Sequence, residues 1–292
     1  MKNKKIFFPI FGIVLIVFVL GLFFDLQFAQ VIYSKNNLFA KIMAAIGETP
    51  AYGGLAFIGG GLFATNLKRE NKFLKIVFFA MAFLCVLGGI VLSTRAMASH
   101  NAFNIEDKWY IVLPFALIID GGLGYLGYRM CLKSTNEDTL KVLLFMLMVI
   151  AAVVLSITVL KRLWGRPRYR FIDKEGDLNL FRNWWEIHSG IKDTFINKGV
   201  SSDEFKSCPS GHTSSAACAL LLMYLPLIDE KLKGKETLLL LIGAIWAGVV
   251  GFTRHILGAH FLTDTSFAYM ITMLIILVLN YFFYKFKDKI KI

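Results

Sequence analysis

The stretch LKVLLFMLMVIAAVVLSITV, residues 140–159, runs directly into LKRLWGRPRYR, residues 160–170. Lys141 is the only charged residue in the first stretch, whereas the second carries five cations. About 20 consecutive apolar residues form an α-helix that is long enough to cross the hydrocarbon core of a membrane. The pattern therefore predicts a transmembrane helix that ends in a dense cluster of positive charge.

The rest of the chain repeats this kind of apolar run. Of the 292 residues, 57% are hydrophobic and 18% are charged, against roughly 25% charged residues in an average soluble domain. We predict an all-α polytopic membrane helix bundle that forms a single domain over residues 1–292. The eight predicted spans are residues 6–24, 50–66, 74–94, 109–131, 140–160, 211–228, 237–253 and 262–284.

Loop charges predict the orientation of this bundle. Eight spans place both termini on one side, and the segments on that side contain 17 basic residues. Because Lys and Arg accumulate in cytoplasmic loops, we predict cytoplasmic termini, a plasma or inner membrane location and an extracytoplasmic loop over residues 161–210. Topology also accounts for the net charge of +12 without a nucleic-acid partner. The predicted outer side carries the acidic residues Asp25, Glu48, Glu106 and Asp107.

The cationic cluster thus lies on the side where the topology rule disfavours positive charge. Clustered Arg and Lys side chains favour an anion, since a guanidinium offers two parallel donors to a phosphate and Lys adds a point charge. Two other interpretations stay open for this cluster alone. Its cations could reach from the helix end into water, or they could attract anionic lipid headgroups.

The stretch CPSGHTSS, residues 208–215, begins the sixth predicted span. The first N–H groups of a helix have no partner within the helix, and they favour a phosphate. Ser210 adds a hydroxyl donor, Gly211 allows the backbone to approach a ligand closely, and His212 lies in the first turn. Taken alone, a histidine at a helix start is more often a structural residue than a catalytic one.

The stretch TRHILGAHFLTD, residues 253–264, joins the last two predicted spans. His260 and Asp264 are four residues apart, which on a helix brings both side chains to one face. We expect a hydrogen bond between them that fixes the imidazole tautomer and leaves the other ring nitrogen as a nucleophile. The alternative is a capping pair at the membrane interface. Arg254 ends the preceding span.

All three stretches lie at the predicted outer ends of spans, where they can converge. Together they supply histidine, aspartate, serine and several cations, but no carboxylate cluster of the kind that binds Mg²⁺ or Ca²⁺. This set of residues predicts metal-independent phosphoryl transfer through a phosphohistidine, with cations that stabilise the charge on the phosphoryl oxygens. We expect no metal and no cofactor.

These stretches resemble the three-part signature of the type 2 phosphatidic acid phosphatases, which reads K-x6-R-P, then P-S-G-H, then S-R-x5-H-x3-D. Lys161 and Arg168 match the first part, with Tyr169 where the family usually has proline. Residues 209–212 match the second part in full, and residues 253–264 match the third with threonine for serine. An alternative register through Arg166 and Pro167 would place Val159 at the lysine position.

The resemblance covers residues 140–285 and implies a six-helix phosphatase core, to which the extra N-terminal spans are added. It implies that His260 is the nucleophile, that Asp264 orients it and that His212 protonates the leaving oxygen. The implied phosphate-binding residues are Lys161, Arg168, Ser210, Gly211 and Arg254.

The implied activity is hydrolysis of a lipid phosphate or pyrophosphate, with the membrane lipid and the bilayer as partners. Polyprenyl pyrophosphate, phosphatidylglycerol phosphate and phosphatidate are the candidate substrate classes, and the additional cations of GRPR favour a pyrophosphate head. One alternative is a phosphotransferase that passes the group to a hydroxyl acceptor. Another is a non-enzymatic anion transporter. The oligomeric state stays open.

Five further residues have no place in the signature. Trp184 and Trp185 are predicted to anchor the outer loop at headgroup level, or else to cover the site. His188 and His255 are interpreted as interfacial. Asp120 lies in the middle of a predicted span, where a carboxyl group is a functional candidate or bonds a neighbouring helix.

Overall fold

The computed structural model describes residues 4–67, 69–98, 108–187 and 190–286, and within these ranges it contains helices and no strand. The predicted all-α bundle is confirmed. The α-helices are, in chain order, α1 Lys4–Ile32, α2 Leu38–Ile46, α3 Thr49–Asn66, α4 Lys72–Ala98, α5 Trp109–Lys133, α6 Thr139–Trp164, α7 Tyr169–Glu175, α8 Ile191–Ile196, α9 Gly211–Ala217, α10 Glu236–Ile256 and α11 Leu262–Phe286.

Six of the described helices are long and apolar enough to cross a membrane: α1, α4, α5, α6 together with α7, α10 and α11. The other two predicted spans are also helical, but neither forms a helix that is both long enough and apolar enough to cross a membrane by this criterion. The helix α3 contains five glycines, and residues 211–227 are divided between α9 and the 3-10 helix Cys218–Leu227. Helices of this length and composition indicate a membrane protein.

The helices α3 and α5 cross in direct backbone contact. A Cβ atom on Gly60 of α3 would lie 1.8 Å from the carbonyl oxygen of Gly124, and one on Gly127 of α5 would lie 2.0 Å from that of Phe57. Small residues let membrane helices approach each other in this way. The helix α4 packs against both. The three helices form an N-terminal unit that holds the start of α3 in place.

The helix α6 carries the core of the remaining bundle. Its buried face has helical spacing and consists of Val142, Phe145, Val149 and Val153. This face packs near α9, the following 3-10 helix and α11. Opposite it, the hydroxyl of Tyr224 donates to Oδ1 of Asn280 over 2.7 Å. The packing aligns the ends of α6, α9 and α11 on one side.

The segment between α6 and α9 folds over that side of the bundle. It is fastened there by backbone hydrogen bonds, including one of 2.9 Å from the Arg170 N–H to the Gly258 carbonyl. Trp184 packs on Trp164, Phe18 and Phe267. Trp185 is exposed. Trp184 thus joins the segment to α1, α6 and α11, and the predicted functions of the tryptophan pair stay predictions.

Several predictions concern residues that the structure does not describe or does not test. His188, Glu106 and Asp107 lie outside the described residues, as do 1–3 and 287–292 of the basic termini. The predicted orientation therefore stays a prediction. Asp120 is fully buried on α5, beside Gly53 of α3, and its predicted role stays a prediction.

The contact between α3 and α5 gives a first testable prediction. Gly127→Ala introduces a Cβ atom against the Phe57 carbonyl, and such overpacking typically costs ~1–3 kcal/mol. We expect the thermal midpoint of the purified protein in detergent to fall by several degrees.

Gly122→Ala on the same helix is the matched control, because a Cβ atom there meets nothing within 4 Å. Alanine has a higher helix propensity than glycine, so the control should keep or slightly raise the midpoint. Equal midpoints for the two variants would contradict the close crossing.

Candidate active site

The first and second motifs meet at the start of α9. Lys161 ends the apolar part of α6, and its Nζ lies 3.0 Å from the position that a Cβ atom on Gly211 would occupy. Glycine at this position leaves room for the ammonium group. Ser210 precedes the helix, and its side-chain oxygen accepts a hydrogen bond from the Thr213 N–H over 3.3 Å. Ser210 therefore caps α9, and its service as a phosphate donor stays a prediction.

The third motif lies next to the first two. The backbone N–H of Ser210 donates to the carbonyl of Asp264 over 3.0 Å. Arg254, at the end of α10, is almost completely buried. The imidazole of His260 is buried as well, in the positive field of Arg168, Lys161 and Arg254. The structure thus brings the predicted residues of all three motifs to one end of the bundle.

Four nitrogen atoms in this region have no hydrogen-bond partner among the described residues. They are Nε of Arg168, Nε and Nη1 of Arg254 and Nε2 of His260. Buried polar atoms nearly always have a partner, so each exception needs an explanation. Guanidinium donors that converge beside a partly buried lysine are suited to the oxygens of a phosphate.

The tautomer of His260 follows from its one ring contact. Its Nδ1 lies 2.5 Å from the backbone carbonyl of Ser207. A carbonyl can only accept, so Nδ1 carries the proton, and in the neutral ring Nε2 has the free lone pair. Burial, together with the charges of Arg168, Lys161 and Arg254, holds the pKa of His260 well below its ordinary value. The ring is therefore neutral at pH 7 and can act as a nucleophile through Nε2.

The predicted hydrogen bond between His260 and Asp264 is wrong in its geometry. The expectation assumed that both residues lie on one helix, but α11 begins at Leu262, so the four-residue helical spacing does not apply to His260. Oδ2 of Asp264 instead accepts from the hydroxyl of Ser207 over 2.5 Å and from the N–H of Phe261 over 2.9 Å. Asp264 thus acts on His260 through Ser207, whose carbonyl holds the imidazole.

Arg166 belongs to a separate, fully paired network. Its guanidinium donates to Oδ1 of Asp264 over 2.6 Å and to Oδ2 of Asp25 over 2.9 Å, and it lies over the ring of Phe261. In Arg168, by contrast, the buried Nε has no hydrogen-bond partner among the described residues. This difference favours the register through Lys161 and Arg168 over the one through Arg166.

The second histidine of the site faces a carboxylate. Nε2 of His212 lies 3.4 Å from Oε2 of Glu48, the residue that immediately precedes α3. Oε1 of Glu48 accepts from the hydroxyl of Tyr52 over 3.2 Å. Burial raises the pKa of Glu48, although the charges of Lys161 and Arg254 oppose the rise.

A second acidic residue, which lies in the loop before α9, contacts one of the cations. Oδ2 of Asp203 lies 3.1 Å from Nη2 of Arg168. Burial by itself would raise the pKa of Asp203. The positive charges of Arg168, Lys206, Lys161 and Arg170 outweigh this effect and keep the pKa below its ordinary value. Asp203 therefore stays ionised and holds one edge of the Arg168 guanidinium.

Sequence reasoning missed the roles of Asp25, Glu48, Asp203 and Ser207. It counted Asp25 and Glu48 as acids of the outer side, and only their burial in the structure distinguishes them from ordinary loop acids. The interpretation of His255 as interfacial is wrong. This ring is buried, and its nitrogens lie near the carbonyl of His260 and the hydroxyl of Thr265.

The chain belongs to the PAP2 superfamily, whose family model matches residues 141–288. No solved structure matches the chain. Members of this superfamily are generally phosphatases that act on phosphate esters, often those of lipids. The match contains α6 to α11 with all three motifs. The N-terminal helices, with Asp25 and Glu48, lie outside it.

The unpartnered nitrogens predict an anion site that can be measured without turnover. Orthovanadate or inorganic phosphate should raise the thermal midpoint of the protein, since a ligand at 100 times its Kd adds about 2.7 kcal/mol of stability. Arg254→Met should abolish the rise. Arg162→Met is the control, because Arg162 is exposed beside Lys161 and its loss removes the same charge. An equal anion effect in both variants would contradict the site.

Proposed function

We propose that the protein is a metal-independent lipid phosphatase that hydrolyses a lipid phosphate or pyrophosphate through a phosphohistidine on His260. The observation that carries the proposal is the buried Nε2 of His260, which has no partner among the described residues and shares this property with nitrogens of Arg168 and Arg254. A neutral nucleophile beside unpaired cationic donors suits attack on an anionic phosphorus centre.

In the first step, Nε2 of His260 bonds to phosphorus as the bond from phosphorus to the ester oxygen breaks. The leaving oxygen takes a proton from His212. In the second step, water gives a proton to His212 while its oxygen bonds to phosphorus and the bond between nitrogen and phosphorus breaks. Lys161, Arg168 and Arg254 stabilise the phosphoryl oxygens in both steps, which is the main requirement of such a transfer.

Metal independence is supported by the residues themselves. Among the described residues, no three His, Cys, Asp or Glu side chains are grouped so that they could hold a metal ion. Positive charge at the phosphate comes instead from Lys161, Arg168 and Arg254.

A lipid substrate is supported by an apolar cavity of about 480 Å³ between α3, α5, α6 and α10. Thr49 and Pro50, which line it, directly follow Glu48 in the chain. Cys218 and Ala219 line it too and follow the helix that begins at Gly211. Some of the lining residues are thus chain neighbours of residues in the site, and we propose that the cavity accepts the hydrocarbon chain of the lipid.

The proposed site faces the extracytoplasmic side, as the distribution of basic residues predicts. A phosphotransferase with a hydroxyl acceptor would use the same first step and is the second candidate. An anion transporter would leave the tautomer of His260 without a purpose, and we place it last.

The first test of the proposal is phosphate release by the detergent-purified protein in the presence of EDTA. The lipid panel contains undecaprenyl pyrophosphate, phosphatidylglycerol phosphate and phosphatidate. We expect release that survives EDTA, an acid-labile ³²P label on the wild-type protein and loss of both in His260→Ala. Equal slow release by wild type and His260→Ala would overturn the proposal, whereas a labelled acceptor without free phosphate would identify the transferase.

The cavity gives a separate prediction. Leu222 lines it and is half-buried, so Leu222→Trp should fill it and lower kcat/KM for long-chain lipids about tenfold or more, with little effect on a short-chain phosphate. Leu238→Trp on α10 adds the same bulk at an exposed position and should leave both rates unchanged. A loss that does not depend on chain length would contradict a role for the cavity in chain binding.

A further inference from the structure

Glu48 is a buried carboxylate that comes from outside the part of the chain matched by the superfamily model. The residue is 8% exposed, and the cations Lys161 and Arg254 act on its carboxylate. It lies in the short link between α2 and α3, and the matched region begins at residue 141. The three-part signature therefore assigns it no role.

The link holds Glu48 rigidly. The hydroxyl of Thr49 donates to the carbonyl of Ile46 over 2.7 Å, and the indole N–H of Trp246 on α10 donates to the carbonyl of Gly47 over 3.1 Å. A Cβ atom on Gly47 would lie 2.8 Å from a methyl group of Val250, so the link packs closely against α10. A carboxylate on such a link has a defined position relative to the site.

The groups that face Glu48 come from four helices. They are Tyr52 on α3, Lys161 on α6, His212 and Ser215 on α9, and Arg254 on α10. His212 is the titratable group of this set that must carry a proton when the leaving oxygen departs. The surrounding lysine and arginine disfavour an imidazolium, because like charges repel strongly in a buried site. A carboxylate within 3.4 Å of Nε2 offsets this repulsion.

We infer that Glu48 is a positioning residue of the proposed reaction: its carboxylate orients the ring of His212 and stabilises the protonated form that delivers a proton to the leaving oxygen. The inference rests on the proposed function. It also gives the N-terminal helices a part in the site, because α3 and its close contact with α5 hold the carboxylate opposite α9.

The experiment compares two substrates whose leaving groups differ in how strongly their departure depends on protonation. p-Nitrophenyl phosphate releases an anion that is stable at neutral pH, whereas an alkyl phosphate of similar size releases an alkoxide that must be protonated. General acid catalysis typically contributes 10²- to 10⁴-fold. We expect Glu48→Gln to lower kcat/KM for the alkyl phosphate by about tenfold to 100-fold and to change kcat/KM for p-nitrophenyl phosphate less than about threefold. The ratio kcat/KM is compared because it covers only the steps up to departure of the leaving group, before water attacks the phosphohistidine.

Further variants separate this role from packing. Glu48→Asp should restore part of the alkyl phosphate rate, and Glu137→Gln, an exposed glutamate at the other end of the bundle, should behave as wild type. His212→Gln should show the same dependence on the leaving group, and the double variant Glu48→Gln with His212→Gln should be no slower than His212→Gln alone.

The outcomes distinguish the inference from the proposed function. An equal loss for both substrates in Glu48→Gln, or no loss for either, would overturn the role of Glu48 while wild-type phosphate release and the phosphoenzyme stand. The absence of any His260-dependent turnover in wild type would overturn the proposed function, and the role of Glu48 with it.

Discussion

The arrangement of the site depends on one buried arginine that lies between two carboxylates. Arg166 bonds Asp25 of α1 and Asp264 of α11 at 2.9 and 2.6 Å. Removing one partner from a buried ion pair typically costs ~3–5 kcal/mol, because the remaining charges lose their compensation. The network therefore holds the loop after α6 against both helices. Through the second oxygen of Asp264 it holds Ser207, and through the Ser207 carbonyl it sets the tautomer of His260.

The cations of this region fall into two groups that differ in their partners. Arg166 is paired as described, and Arg170 makes a two-pronged pair with Glu204. Arg168 and Arg254 keep buried nitrogens without a partner among the described residues. Donors that are fixed before a ligand arrives need no reorganisation when negative charge develops on it, which is how electrostatic preorganisation accelerates reactions. Arg166 and Arg170 give the loop its shape, and the unpartnered nitrogens of Arg168 and Arg254 give the site its preference for anions.

Local patterns predicted most of the fold. Apolar runs identify helices because burial in lipid requires about 20 apolar residues, and each of the eight predicted spans is helical in the structure. The glycine-rich second span is less apolar than a typical transmembrane helix, because its small residues serve contact with α5 rather than lipid exposure. The sixth span is divided into two helical pieces, a change of helix type that the apolar pattern does not report.

The sequence by itself determined the class of protein, the helical architecture and the residue types of the candidate site, because these depend on periodicity and on motifs of a few residues. Only the tertiary structure decided which charged residues contact each other. Asp25 contacts Arg166 at a separation of 141 residues, and Asp264 bonds Ser207 instead of His260 because α11 begins after His260. Glu48 reaches His212 only because α3 is held opposite α9. Electrostatic and hydrogen-bond energies depend on distance in space, and a chain position far along the sequence carries no local signal of that distance.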